Sequence, residues 1–107
     1  MKYVQIELTQ GNLNNDHLYL TGVLDFFPKE SIGGPNIESK AELELEIHSG
    51  INKPVFTDIA GDKNIFRKRS WVGEFFKAHD LKAGDKVIIQ KTDTHRYHVY
   101  PMRGNGS

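Results

Sequence analysis

The sequence contains no cysteine, and this absence removes two classes of structure from consideration. Neither a disulfide framework nor a thiolate metal site can form, so the chain is unlike a small secreted scaffold. A cysteine-free chain is typical of a reducing compartment, and we expect a soluble, cytoplasmic protein. The sequence also lacks an apolar run near the roughly 20 residues that a membrane-spanning helix needs, so we expect no membrane partner. Residues 1–10 alternate like a strand and do not resemble a signal peptide.

Net charge is also absent, because 14 basic and 14 acidic residues balance one another. Their distribution is uneven: residues 1–62 hold 4 Lys/Arg and 10 Asp/Glu, whereas residues 63–107 hold 10 Lys/Arg and 4 Asp/Glu. Such polarity permits a basic face on a neutral molecule. The 107 residues suffice for one core. We therefore assign residues 1–102 to a single domain and residues 103–107 to a disordered tail.

Short alternating runs separated by turn-forming residues predict a mainly β fold. Tyr3–Thr9 and Ala41–Ile47 alternate apolar and polar residues, and His17–Leu20 is a shorter candidate strand. About seven such strands predict a barrel or a sandwich. The Ala41–Ile47 strand would direct Glu42, Glu44 and Glu46 outward. Three carboxylates would repel a nucleic acid, so we expect this strand to lie away from any basic surface.

Two segments have the composition of short helices that close the ends of a barrel. Thr21–Pro28 is too apolar to be exposed, and proline ends it. In the second segment Ser70 is a candidate N-cap, and four large side chains share one helical face: Trp71, Val72, Phe75 and Phe76. We expect these aromatic side chains to lie in the core. In contrast, Gly11–His17 is rich in turn formers, and we predict a loop there.

Two polar stretches are candidates for a binding surface. Four cations, Lys63, Arg67, Lys68 and Arg69, lie within seven residues directly before the aromatic helix, which is typical of a surface that contacts phosphates. A solvated, charged end of a strand would have the same composition. The asparagines of Gly11–His17 have two possible roles. They satisfy turn backbone, or they offer amide groups to base edges.

The order of these segments resembles the second half of the B3 DNA-binding domain of plant transcription factors. The matching residues are Val55-Phe56-Thr57, Gly61-Asp62-Lys63, Ile65-Phe66-Arg67, Ser70-Trp71-Val72 and Lys82-Ala83-Gly84-Asp85-Lys86-Val87. The same fold serves as the recognition domain of some bacterial restriction endonucleases. The sequence is also similar to short bacterial proteins from restriction and modification settings, and the similarity covers nearly the whole chain.

The resemblance implies a seven-stranded open pseudobarrel with two short helices plugging its ends. It implies a non-catalytic domain that reads the major groove of double-stranded DNA with two arms, Asn12–His17 and Thr57–Arg69. The residues expected at this interface are Asn12, Asn14, Asn15, His17, Thr57, Asp58, Lys63, Asn64, Arg67, Lys68 and Arg69. Arg67 is our candidate for a guanine contact, and strand alternation would place Arg69 on the same face and Lys68 on the other. We expect a monomer without cofactors or metals, in a restriction-modification or regulatory setting.

Other functions remain open at this point. The segment Leu81–Val87 also occurs in swapped-hairpin regulators, so the alternative is a small protein-interaction or antitoxin-type barrel that does not read DNA. An enzyme is the third candidate, because Glu38-Ser39-Lys40 matches the Glu-x-Lys pattern of many nucleases, with Asp25 as a potential partner. A magnesium site needs its acids on adjacent core strands, and these lie in a loop and a plug. Any nuclease or methyltransferase activity would belong to a partner or a fused domain. The five histidines are dispersed and do not predict a zinc site.

Overall fold

The computed structural model describes residues 2–51 and 53–102. The α-helices of this part are α1 (Gln10–Asn15) and α2 (Arg69–Ala78), and three short 3₁₀ helices span Thr21–Phe26, Lys29–Ser31 and Ile37–Ser39. The strands are β1 (Tyr3–Glu7), β2 (Ile32–Gly33), β3 (Leu45–His48), β4 (Val55–Thr57), β5 (Ile59–Ala60), β6 (Ile65–Phe66), β7 (Lys86–Asp93) and β8 (Arg96–Met102).

The strands form two sheets that do not close into a barrel. The larger sheet has the order β1-β7-β8-β3-β4, and the smaller one has the order β2-β5-β6. β7 and β8 form a long antiparallel hairpin, whereas β3 joins β8 in parallel. The prediction of a mainly β, open pseudobarrel with short helices is confirmed. The number of strands in the described residues is eight, one more than predicted, because the two-residue strands β2, β5 and β6 form a sheet of their own.

The core lies between the sheets and α2, and alternation along the strands directs side chains into it. Val87 and Ile89 of β7 and Tyr97 and Val99 of β8 are buried, while their neighbours on β8 are exposed. Burial raises the pKa of Tyr97 to about 12, so its phenol stays neutral and donates to the carbonyl of Phe26 at 3.3 Å. The 3₁₀ helix Thr21–Phe26 thus packs against the β7–β8 hairpin, as the apolar composition of this segment predicted.

Helix α2 supplies the largest aromatic group of the core. Its four predicted core residues are buried, and the indole N–H of Trp71 donates to Ser49 Oγ at 3.1 Å. The predicted N-cap at Ser70 is wrong. The helix begins at Arg69, and Lys68, two residues before Ser70, occupies the N-cap position without a side-chain cap bond. No helix in residues 2–51 and 53–102 is both long and apolar enough to cross a membrane.

Two strand predictions are wrong at their boundaries. Of Ala41–Ile47 only Leu45–Ile47 belongs to a strand, and Leu43, expected inside, is 48% exposed. The alternation of the sequence begins at Ala41, but β4 and β8 pair with this segment only from Leu45 onward. His17–Leu20 is not a strand either, because it forms only an isolated bridge, between Tyr19 and Ile65. The predicted tail 103–107 lies outside the described residues, and the assignment of residues 1–102 to one domain stays a prediction.

Candidate nucleic-acid interface

The hairpin β5–β6 forms the second arm, and its tip carries polar residues. Asn64 adopts a left-handed backbone conformation, with φ of 57°, which asparagine tolerates better than most residues. Its N–H donates to the Ala60 carbonyl at 2.7 Å and closes the turn. Asp62 and Lys63 are exposed beside it. The tight turn therefore exposes one acid and one cation, with the half-buried Asn64 next to them.

The base of the second arm is held by a buried ion pair. Arg67 Nε donates to Asp58 Oδ1 at 2.6 Å and Arg67 Nη2 donates to Asp58 Oδ2 at 3.0 Å, so the pair is bidentate. Arg67 Nη2 also donates to the Gly34 carbonyl at 2.7 Å, and the Ala41 N–H donates to Asp58 Oδ2 at 2.7 Å. These bonds join the arm to both sides of the 3₁₀ helix Ile37–Ser39.

The charges of this pair are mutually stabilised. Burial opposes the negative charge of Asp58, but the hydrogen bonds from Arg67 and from the Ala41 N–H outweigh it and lower the pKa of Asp58. The hydrogen bond to Asp58 raises the pKa of Arg67. Both groups are therefore ionised at neutral pH. Because two of its three side-chain nitrogens are engaged, Arg67 is placed to brace the arm rather than to reach out from it.

The three remaining cations of the predicted cluster are exposed: Lys63, Lys68 and Arg69. Arg69 donates from Nε and Nη2 to the Asn15 carbonyl, at 3.3 and 2.9 Å. The expected strand alternation over residues 67–69 does not exist, because the chain leaves β6 at Phe66 and enters α2 at Arg69. Arg67 and Arg69 consequently have different surroundings, one at the base of the second arm and one against the first.

The first arm is a helix, and the predicted loop is wrong at Gln10–Asn15. Thr9 and Asn12 form a capping box in which Asn12 N–H donates to Thr9 Oγ1 at 3.2 Å and Thr9 N–H donates to Asn12 Oδ1 at 2.7 Å. Asn12 is buried and serves as a cap. Asn14 and Asn15 are exposed at the end of the helix, as a DNA-reading arm would require.

One backbone hydrogen bond and one pair of side-chain hydrogen bonds tie the second arm to the segment that contains the first arm and the residues after it. The Leu20 N–H donates to the Asn64 carbonyl at 2.7 Å, next to the Tyr19–Ile65 bridge. The Arg69–Asn15 bonds described above make a second connection. Asn14, Asn15, Lys63, Asn64 and Arg69 are thereby brought to one region of the molecule.

His17 lies at the junction of the arms and is buried rather than exposed. Its Nδ1 is 2.8 Å from the hydroxyl of Tyr19. Burial, followed by the nearby charges of Arg69 and Lys63, lowers the pKa of His17. Tyr19 itself is 42% exposed, and sequence reasoning did not select it. The only signal was an aromatic residue next to the asparagine cluster, and the alternation of His17–Leu20 does not identify its surroundings.

Two other predicted interface residues are internal. Thr57 is buried, where its hydroxyl donates to the Asp58 carbonyl at 2.9 Å and accepts from the Lys68 N–H at 3.1 Å. Asp58 is buried beneath Arg67. A direct contact of either side chain with DNA would require the base of the arm to open. Their positions instead fix where the backbone of Lys68 leaves the arm.

The predicted separation of acidic and basic side chains is incomplete. Glu46 is paired with Arg96 at 3.0 Å and with His48 at 2.5 Å, so its charge is balanced within the sheet. Hydrogen bonding to His48 and Arg96 lowers the pKa of Glu46. Glu44, however, lines a cleft together with Arg67 and Lys68. The expectation that all three glutamates lie away from the basic surface therefore fails at Glu44, which precedes the strand.

Comparisons with known proteins support the fold and not a family assignment. No protein-family model matches the chain, and no curated protein matches it in sequence. The N-terminal domain of Helicobacter pylori LlaJI.R1 is similar in structure, with a TM-score of 0.60 and 14% identity over 96% of this chain and 88% of that chain. The Arabidopsis FUS3–DNA complex gives a TM-score of 0.61 and 15% identity over 96% of this chain and 99% of that chain. The chain has the B3-like fold that the order of its motifs predicted.

Proposed function

We propose that this chain is a non-catalytic domain that binds double-stranded DNA and reads the major groove with its two arms. The observation that carries the proposal is the joining of the two polar arms by the Arg69–Asn15 hydrogen bonds. The Leu20–Asn64 backbone bond also holds the second arm against the segment that follows the first. Lys63 and Arg69 are exposed and lie near His17 at the junction of the arms, and Lys68 is exposed beside Arg69 in the sequence. The likeness to FUS3 adds support, since that protein was solved in a complex with DNA.

The proposal gives the interface residues different roles. Lys63, Lys68 and Arg69 are exposed cations and would contact phosphates, which supply affinity but little sequence information. The amides of Asn14, Asn15 and Asn64 would contact base edges, since asparagine forms a bidentate pair with adenine. Tyr19 adds an exposed ring next to Ile65, the residue that follows Asn64. The guanine contact predicted for Arg67 stays a prediction, and its bonds to Asp58 favour a positioning role.

The setting of the domain is proposed from sequence resemblance alone. We propose a bacterial restriction-modification or regulatory context in which a separate nuclease or methyltransferase supplies the chemistry. No group of three His, Asp or Glu side chains among residues 2–51 and 53–102 could hold a metal ion. Incubation with supercoiled plasmid and Mg²⁺ tests this part, and we expect no nicking. Metal-dependent nicking by the pure protein would contradict it.

Fluorescence anisotropy with labelled duplexes tests the binding proposal. We expect the folded protein to bind duplex DNA at low salt, and to select a preferred site from a random pool. Lys63→Glu at the tip of the second arm should abolish this binding. Lys91→Glu is the matched control, because Lys91 pairs with β1 at the end opposite to the first arm and should tolerate the change. A folded wild type that binds no duplex would favour the protein-interaction alternative.

A further inference from the structure

A cleft opens at the base of the second arm, which forms one of its walls through Thr57, Asp58, Arg67 and Lys68. Six of its lining residues are Ile37, Lys40, Glu44, Phe56, Arg67 and Lys68, and we call it the Phe56 cleft. Its volume is about 220 Å³. Pockets that enclose drug-sized ligands measure about 300–1,000 Å³. The Phe56 cleft is therefore large enough for one planar group and too small for a longer ligand.

The apolar side chains of the cleft are unusually exposed. Ile37 is 65% exposed and Phe56, on the edge strand β4, is 52% exposed. Contact between such side chains and water is unfavourable, so covering them with a ligand would be favourable. An aromatic ring that borders a cavity offers a stacking surface, which suits a planar ligand.

The polar side chains of the cleft supply both signs of charge. Lys40, Lys68 and Glu44 are exposed, and none of them forms an ion pair within the described part of the chain. Arg67 contributes its Nη1 donors, because its other two side-chain nitrogens are bound to Asp58 and Gly34. The two lysines suit phosphates, and the carboxylate suits an amino group.

We propose that the Phe56 cleft receives one nucleotide extruded from the bound duplex. This inference rests on the proposed DNA-binding function. The extruded base would lie against Phe56 and Ile37, while Lys40 and Lys68 contact the phosphates on either side. Glu44 would accept a hydrogen bond from an exocyclic amino group, which favours cytosine or adenine over thymine. Lys68 connects the cleft to the proposed phosphate-binding surface, so a nucleotide leaving the duplex there has a short path.

The unpairing cost of base extrusion provides the test. An enzyme or domain that extrudes a base must overcome a few kcal/mol of stacking and pairing, and a mismatch removes part of this cost. We would select a duplex with the wild-type protein, introduce a mismatch at each position in turn, and measure anisotropy. At one position the mismatch should tighten binding at least tenfold. At the other positions it should weaken binding or leave it unchanged.

Variants inside and outside the cleft test whether the gain in affinity depends on the cleft. Phe56→Ala should bind the mismatched duplexes, but no mismatch should tighten its binding tenfold relative to the matched duplex. Tyr3→Ala is the matched control, since Tyr3 is an aromatic residue 61% exposed on β1, the opposite edge of the same sheet, and should keep the gain. Ile37→Ser provides a second cleft variant if Phe56→Ala fails to fold, and the same loss is expected.

Two different results would overturn the inference. Duplex binding with no tightened position, and with Phe56→Ala equal to wild type on every duplex, overturns the nucleotide pocket and leaves the proposed DNA-binding function intact. The absence of any duplex binding by the folded wild type overturns both. A gain that persists in both Phe56→Ala and Ile37→Ser places the extruded base elsewhere and also rejects the Phe56 cleft.

Discussion

Arg67 shows that the type of a residue does not determine its role without knowledge of its surroundings. In the sequence it is one of four neighbouring cations and the natural candidate for a guanine contact. In the structure its guanidinium is bound to Asp58 and Gly34, and its side chain is only 15% exposed. Lys68, the next residue, is fully on the surface. Two adjacent cations thus have different tasks, and separate experiments distinguish them.

The first prediction concerns the ion pair between Arg67 and Asp58. Arg67→Ala leaves the Asp58 carboxylate buried without its partner, and we expect a loss of about 3 kcal/mol in the free energy of unfolding, at the lower end for buried pairs because Arg67 is partly exposed. Urea denaturation measures this loss. Arg69→Ala, which removes bonds to an exposed carbonyl, should cost less than 1 kcal/mol, about what a single exposed interaction contributes. An Arg67→Ala protein of unchanged stability that loses only sequence discrimination would restore the base-reading role.

The second prediction concerns phosphate contact by Lys68. Each lost phosphate contact reduces the slope of log K against log salt by about 0.9 for B-DNA. Lys68→Ala should therefore bind all duplexes more weakly, with equal losses on preferred and scrambled sequences and a shallower slope by about one unit. Lys91→Ala should leave the slope unchanged. A Lys68→Ala protein with the wild-type slope would remove Lys68 from the interface.

The third prediction concerns the pH dependence of stability near His17. Because the folded state lowers the pKa of His17, the proton binds preferentially to the unfolded chain, whose histidine has a pKa of about 6.5. The contribution of neutral His17 to the free energy of unfolding should be fully present above this value. It should fall as the pH decreases from there toward the pKa of the folded state. His17→Gln should reduce the difference in urea midpoint between pH 7.5 and pH 5.5. The same difference in both proteins would show that His17 does not contribute to it.

At the scale of elements, the second arm depends on close backbone approach. The Gly61 N–H donates to the Gly33 carbonyl at 2.9 Å, and a Cβ at Gly61 would lie 2.5 Å from that oxygen. Backbone atoms cannot yield as the end of a flexible side chain can. The small sheet β2-β5-β6 therefore requires glycine at this position for packing, whatever the sequence of the turn.

The fourth prediction follows from this contact. Gly61→Ala should lower the free energy of unfolding by about 1–3 kcal/mol, the usual effect of overpacking, and should weaken duplex binding because the arm tip is displaced. Thermal denaturation and anisotropy measure the two effects. Gly22→Ala is the control, since nothing lies within 4 Å of its added Cβ and both properties should stay close to wild type. Equal behaviour of the two variants would contradict the close approach.

The local pattern of the sequence predicted elements that bury one face and expose the other. The face of α2 was predictable because Trp71 and Phe75 are one helical turn apart and buried. Helix α1 was missed because the capping box ends in Asn12, where glutamate or glutamine is usual, among residues that also form turns. The order of the cations was visible in the sequence. The roles of the cations could not be predicted, because the partners of Arg67 are distant in the sequence. Asp58 is nine residues from Arg67, and the Gly34 carbonyl is 33 residues away.

At the scale of the whole molecule, zero net charge means that the proposed binding of DNA depends on local cations. If Lys63, Lys68 and Arg69 each neutralise one phosphate, the slope of log K against log salt is about −2.7. The fifth prediction is a roughly 40-fold loss of affinity between 50 and 200 mM salt for the wild type. Titration at several salt concentrations measures the slope. A slope near zero would reject electrostatic binding, whereas a slope near −10 would require many more cations than this surface offers.

The hydrogen bonds between the arms have a consequence for how this domain could acquire a new target site. Arg69 extends from the start of α2 to the carbonyl of Asn15, and Asn64 accepts from Leu20, so a change in one arm shifts the other. Contributions of residues that share such contacts are not additive. If both arms read bases as proposed, base preferences at the positions of the first arm should therefore covary with those of the second. A library that randomises one arm alone would mostly yield weaker binders, and new specificity would come from paired substitutions in both arms.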